Sequence, residues 1–205
     1  MKIGLYSITM TFFAREDCVY TNCYWYVRSW SEENVWKLCE YAQEHHQDQL
    51  EHFLAVFISN SAKTIPIWHQ KAGNGPDQPV VWDYHVICIH CPEVSDPQVY
   101  DLDSLLPFPC PLVQYLQSAI QSDASLKVQY HRKFRVVPAE LFLKTFASDR
   151  SHMRTADGTW MKPPPPYHCI ATTESTMNLD DFICMDPSVG VGQVMDLATF
   201  TKQFT

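Results

Sequence analysis

The 205-residue sequence has no run of lysines or arginines, and its 15 basic residues are outnumbered by 23 acidic ones, giving a formal charge of −8. Phosphate surfaces are bound through clustered positive charge, so nucleic acid and anionic membranes are not expected as partners. A cationic ligand, such as a peptide's free amino group, suits the charge better. No stretch is long and apolar enough to span a bilayer. Met1 to Phe13 holds one lysine, a short broken apolar stretch and no small-residue cleavage site, which is not the pattern of a secretory signal. The expected location is the cytoplasm, with the nucleus as a second site. A disulfide framework is missing too: Cys18, Cys23, Cys39, Cys88, Cys91, Cys110, Cys169 and Cys184 are scattered through apolar segments of a chain too long to need staples, so reduced thiols are expected. No internal repeat appears.

With 46% hydrophobic and 13% aromatic residues the chain can bury a sizeable core, and one compact domain is the default. Val35, Leu38, Cys39 and Ala42 recur at helical spacing behind Ser31, Glu32 and Glu33, an N-cap and an acidic first turn that suit the helix dipole; the spacing predicts a helix from Ser31 to about Glu44. β-rich runs follow at Leu54 to Ser59, Lys63 to Trp68, Pro79 to His90 and Val99 to Asp103, separated by turn chemistry such as Gly73-Asn74-Gly75-Pro76. Helices are predicted at Leu112 to Ile120, at Ala139 to Phe146 after a short strand Phe134 to Val137, and at Leu197 to Phe204. Ser148 to Pro187, rich in Pro, Thr, Asp and Met, reads as an ordered wrap or long loop. The expected architecture is α+β, an antiparallel sheet packed on helices.

The run Val80-Val81-Trp82-Asp83-Tyr84-His85-Val86 places an imidazole in a strand, where a polar ring needs a partner. If the next hairpin turns around Glu93 to Ser95, facing residue numbers sum to about 186–190 and His85 lies against the stretch that begins at Asp101, with Asp101 and Asp103 on one face. Such a carboxylate orients an imidazole and stabilises its charged form, as a catalytic base requires; the same pair also serves as a core polar network. A thiol near a helix N-terminus is readily activated, and Cys18 and Cys23 lie just upstream of the first helix, although free cysteines also act as small buried hydrophobes. Cys88-Ile89-His90-Cys91 looks metal-like, but strand alternation separates Cys91 from Cys88 and His90, and no second ligand pair stands at zinc-finger spacing, so it reads as core. Pro163 to Pro166, flanked by Trp160 and Tyr167, suggests self-packing, and Asp149-Arg150-Ser151-His152 a local salt-bridged turn.

Several collinear runs together resemble the protein N-terminal glutamine amidohydrolase family: Asp17-Cys18-Val19-Tyr20, Glu32-Glu33-Asn34-Val35-Trp36-Lys37-Leu38-Cys39-Glu40, Trp82-Asp83-Tyr84-His85-Val86, Tyr100-Asp101-Leu102-Asp103 with Leu106-Pro107-Phe108-Pro109, Phe146-Ala147-Ser148-Asp149-Arg150-Ser151-His152-Met153, Pro163 to Tyr167, and Met177-Asn178-Leu179 with Asp181-Phe182-Ile183. The resemblance runs from about Asp17 to the C-terminus, which makes 1–16 a variable extension and 17–205 an amidohydrolase domain. It implies an α/β fold of papain- or transglutaminase-like type with a Cys, His, Asp triad in that chain order, His85 being the base and Asp101 the orienting acid. It further implies no metal or organic cofactor, and substrates that are proteins or peptides beginning with glutamine, whose side chain becomes glutamate with release of ammonia on the way to arginylation and N-degron turnover. A monomer is expected.

The chain departs from the family pattern at the nucleophile. That pattern runs Cys-Tyr-Cys-Glu-Glu-Asn with the second cysteine catalytic, whereas here Cys23-Tyr24 is followed by Trp25 to Trp30 and then Ser31-Glu32-Glu33-Asn34, which leaves Cys23 as the nearby thiol to nominate as nucleophile. The genetic code offers a reason. Trp25 is TGG and Ser31 can be AGC or AGT, so removing everything from the last base of Trp25 to the second base of Ser31 joins TG to C or T, a cysteine codon. The excised stretch would begin G-TAY-GTN, compatible with a splice donor, and end in AG. The repaired protein would read Cys23-Tyr24-Cys-Glu32-Glu33-Asn34.

Overall fold

The computed structural model describes residues 29–205. Helix α1, Ser31–His45, buries Val35, Leu38, Cys39 and Ala42, the residues whose spacing predicts it. Ser31 is its first helical residue and not its cap: Trp30 holds the cap position without a side-chain hydrogen bond, and the Ser31 hydroxyl instead accepts from the Val86 N–H.

In chain order the strands are β1 (Phe53–Ser59), β2 (Ile65–Ile67), β3 (Val80–Trp82), β4 (His85–His90), β5 (Gln98–Tyr100), β6 (Cys110–Pro111), β7 (Lys133–Pro138) and β8 (Gln193–Asp196). Six of them form an antiparallel sheet in the order β6-β5-β4-β1-β7-β8, and β2 pairs with β3 apart from it. The predicted run Pro79 to His90 is therefore two strands in two sheets. Asp83 causes the break: its carboxylate accepts from the Tyr84 N–H, and its carbonyl accepts from the Ser59 hydroxyl, so the local backbone leaves the ladder.

Alternation along the central strands sends Phe53, Ala55, Phe57, Val86 and Cys88 to one face and Val56, Ile58, Ile87 and Ile89 to the other, and both faces are buried. Against the first lie α1, helix α3 (Ala139–Thr145) and helix α4 (Leu179–Ile183); the aromatic rings of Phe57, Phe142, Phe146 and Phe182 meet there. Against the second lie helix α2 (Leu112–Tyr115), continued by a π-helical turn over Leu116–Ile120, and helix α5 (Leu197–Phe204), whose Phe200 stacks on Phe134. Each fully buried aromatic contributes about 1.5–3 kcal/mol of transfer free energy. The architecture is α+β, with one sheet between two helical layers.

The predicted loop from Ser148 to Pro187 contains α4 and closes on itself through isolated bridges, Ser148 to Ile170 and Arg154 to Trp160. Strands β6 and β8 were not predicted from sequence. Among the described residues no helix is long and apolar enough to cross a membrane.

Candidate active site

Three elements converge: the N-terminus of α1, the first residue of β4 and the turn that follows β5. His85 opens β4 opposite Ile58 of β1. The β4–β5 register pairs Cys88 with Tyr100, so the two strands run out together and deliver His85 and Asp101 to the same end. His85 Nε2 lies 3.1 Å from Asp101 Oδ1, both side chains being buried; the approach is an ion-pair contact and not a well-aligned hydrogen bond. The Trp82 ring stacks beside the imidazole at 5.7 Å between centroids. The meeting expected from the hairpin arithmetic occurs, but by a different route: β5 ends at Tyr100, and Asp101 starts a turn by accepting the Asp103 N–H on Oδ1 at 2.9 Å.

The other oxygen of Asp101 accepts from the Tyr115 hydroxyl at 2.8 Å and from Gln70 Nε2 at 3.2 Å. Burial alone would raise the Asp101 pKa, but His85 and these donors reverse that and hold it below the ordinary carboxylate value. Burial likewise pulls His85 down, and the charge and contact of Asp101, with the charges of Asp103 and Glu32 behind it, carry it above the ordinary imidazole value. The site therefore keeps an ionised carboxylate beside a readily protonated ring.

Ser31 sits at the head of α1, its Oγ 3.3 Å from the Val86 nitrogen, and Ser31, Asn34, Val86, Asp101 and Asp103 line one small cavity. The position that the family pattern assigns to a cysteine thus lies on the sequence neighbour of His85. Cys18 and Cys23 lie outside the described residues.

The next two residues of α1 are buried carboxylates with different surroundings. Arg150 Nε and Nη2 donate to the two Glu33 oxygens, each at 2.8 Å, and its guanidinium also donates to the carbonyls of Pro165, Tyr167 and His168. Burial pushes Glu33 up, and Arg150 opposes it. Asp149 to His152 was expected to form a local salt-bridged turn; instead Asp149 caps the turn through the Ser151 N–H, and Arg150, at φ 65°, turns inward to a helix 117 residues away, because the buried Glu33 carboxylate needs a cation more than an exposed turn does. Glu32 has His152 Nε2 at 3.4 Å, and the Tyr84 hydroxyl meets the same nitrogen at 3.4 Å. The polyproline segment packs on its own protein, as expected: the Trp30 indole donates to the Pro163 carbonyl.

Cys88 is core, its thiol pushed well up by a contact with Cys39 and by burial. Among the described residues no group of three or more His, Cys, Asp and Glu is arranged to hold a metal ion. Gln70 and Tyr115 gave no local signal in the sequence. Glu32 and Glu33 did, but a first-turn acid reads equally well as a dipole partner, and the far end of the Glu33 pair lies beyond any local window.

A buried imidazole–carboxylate pair beside the head of a long helix, in an α+β frame, has the chemistry of the acid–base half of a hydrolase site, an arrangement that core polar networks also use. Residues 26–204 match the model of the N-terminal glutamine amidase family. Similar proteins, each named Protein N-terminal glutamine amidohydrolase, include that of Danio rerio, 56% identical over 92% of this chain and 90% of that protein, and that of Homo sapiens, 53% identical over 93% and 89%. That of Drosophila melanogaster is 46% identical over 92% and 89%. The chain belongs to the N-terminal glutamine amidase family and is an amidohydrolase. The family match takes in Ser31, His85 and Asp101 and begins after Cys23.

Proposed function

We propose that this amidohydrolase acts on proteins and peptides that begin with glutamine, by a Cys-His-Asp mechanism of papain- or transglutaminase-like type, and that it serves N-degron turnover in the cytoplasm and nucleus as a monomer. The observation that carries the reading is the His85–Asp101 pair at the head of α1. Cys23 is the nominated nucleophile. Its thiolate attacks the side-chain amide carbon, and backbone N–H groups at the α1 N-terminus steady the oxyanion. The C–N bond breaks as the protonated His85 gives its proton to the departing ammonia, leaving a thioester. Water, deprotonated by His85, then adds to the thioester; the C–S bond breaks, glutamate is released, and the Cys23 thiolate is regenerated beside the protonated His85.

A second reading is favoured by one observation. Ser31, not cysteine, stands at the head of α1 against Val86, and a serine hydroxyl is far less acidic than a thiol. On that reading the chain holds N-terminal peptides without hydrolysing them. Ammonia release from matched peptides beginning Gln, Asn and Val separates the two. The first reading expects release from the Gln peptide alone, abolished by Cys23→Ala. Absence of release from the wild-type chain overturns it. Cleavage of internal glutamines or of peptide bonds would instead indicate a broader thiol hydrolase.

A further inference from the structure

We propose that Glu32 is the acceptor for the α-ammonium of the substrate, the group that makes the site select a chain terminus; the inference rests on the glutamine reading above. Glu32 is fully buried at the second position of α1, and among the described residues its carboxylate meets the Tyr84 hydroxyl and His152 without a well-aligned hydrogen bond on either oxygen. Its neighbour Glu33, equally buried, has both oxygens filled by Arg150. Among the described residues, the fold supplies a guanidinium to one of two adjacent buried carboxylates and none to the other.

The groups nearest Glu32 do not satisfy it. His152 Nε2 stands at 3.4 Å and is shared with the Tyr84 hydroxyl, while His152 Nδ1 lacks a hydrogen-bond partner among the described residues. A buried carboxylate that has a hydroxyl and a shared imidazole beside it but no fixed cation is unfavourable until a cation completes it. An ammonium with three N–H donors has the charge and the valence.

Position completes the argument. In a glutamine residue the α-nitrogen and the amide carbon are four bonds apart, about 5 Å when extended. Ser31 and Glu32 are consecutive residues at the head of one helix; the Val86 N–H meets Ser31 and the Tyr84 hydroxyl meets Glu32, with His85 between those two in the chain. A ligand with its amide carbon at Ser31 and His85 thus brings its ammonium to Glu32 and Tyr84. An internal glutamine has no ammonium to offer and leaves Glu32 unmatched.

The test compares two peptides, one beginning with Gln and the same peptide N-acetylated, by calorimetry in a His85→Ala background that blocks turnover, with and without Glu32→Gln. Loss of a charge-assisted contact lowers affinity for the free-amine peptide roughly 10- to 100-fold, and the acetylated peptide binds as before. Glu32→Asp retains part of the preference. With His85 intact, Glu32→Gln raises KM and changes kcat little. Equal weakening of both peptides, as a merely structural role would give, overturns the proposal, as does a preference that survives Glu32→Gln. The two readings fail separately: an amine preference that depends on Glu32, without ammonia release from the wild-type protein, sinks the amidohydrolase reading and keeps this one. Ammonia release from free and acetylated peptides alike does the reverse.

Discussion

Asp101 is the residue on which the site turns. Its two oxygens take His85 Nε2, the Asp103 N–H, the Tyr115 hydroxyl and Gln70 Nε2, so the carboxylate is both fixed and kept ionised in a buried place. The His85 pKa is raised on folding, so its contribution to stability is complete below about pH 6.5 and lost as pH rises through the elevated value. The Asp101 pKa is depressed, so its contribution is complete above about pH 4 and lost as pH falls through the lowered value. The Tm difference between wild type and Asp101→Asn should therefore be greatest between about pH 4 and 6.5 and shrink on either side; a difference that does not change with pH would dissolve the pair. In the amidohydrolase reading the same variant stays folded but loses most turnover, since an amide cannot stabilise an imidazolium, and His85→Ala abolishes ammonia release. Ser31 gives a second check at this scale. In a Cys23→Ala background, Ser31→Cys should restore ammonia release at a rate at least about 100-fold above that background, because it puts a thiol beside His85 at a helix head. No gain would remove the head of α1 as the place of attack.

Helix α1 is tied to the rest of the molecule by its first turn as much as by its apolar face. Arg150 joins Glu33 to the carbonyls of Pro165, Tyr167 and His168, so one guanidinium locks the long 148–187 segment against the helix head. Removing one partner of a buried pair leaves the other uncompensated, and Arg150→Ala should cost about 3–5 kcal/mol, or roughly 6–20 °C in Tm. Urea denaturation of that variant checks the figure, and a loss below about 1 kcal/mol would mean that water replaces the guanidinium. At the other side of the sheet, Gly192 leads into β8 at φ +82°, and a Cβ there would lie 2.4 Å from the Val136 carbonyl, so Gly192→Ala should displace β8 from β7 and lower Tm. Upstream of α1 the question is the junction itself. Transcripts spanning Trp25 to Ser31 should include a form that reads Cys-Glu-Glu-Asn, with ammonia-release activity exceeding that of the longer chain. Transcripts that all retain the segment, with full activity dependent on Cys23, would show that the insertion is real and that the nucleophile has moved.

At the scale of the whole molecule, a sheet covered on both faces by helices holds the ends of β4 and β5 rigid, and the site lies where those ends meet the head of α1. Much of this was legible in advance. Helical spacing marked α1 to within a residue at its C-terminal end, and α5 at both ends, since apolar residues at turns of 3.6 have one way to reach a core. Hairpin register brought His85 and Asp101 to one end of the sheet, because antiparallel pairing conserves the sum of facing numbers, while their contact is made by the turn that Asp101 starts after β5. Local competition hid other features. Asp83 and Asp101 capture the following backbone N–H groups and end strands that composition alone would continue. Strand β8 is four residues long, and its Val194 and Met195 sit side by side between exposed Gln193 and Asp196 without a period-2 pattern, so the pairing with β7 is what marks it as a strand. The sequence by itself determined the α+β class, the main helices and the imidazole–carboxylate pair, since each is written in local periodicity or in a short register. Only the tertiary structure decided which distant groups complete the site: Tyr115 and Gln70 behind Asp101, Arg150 on Glu33, and Tyr84 and His152 beside Glu32. The demand of a buried charge for a partner is set by three-dimensional burial, which no local window of sequence contains.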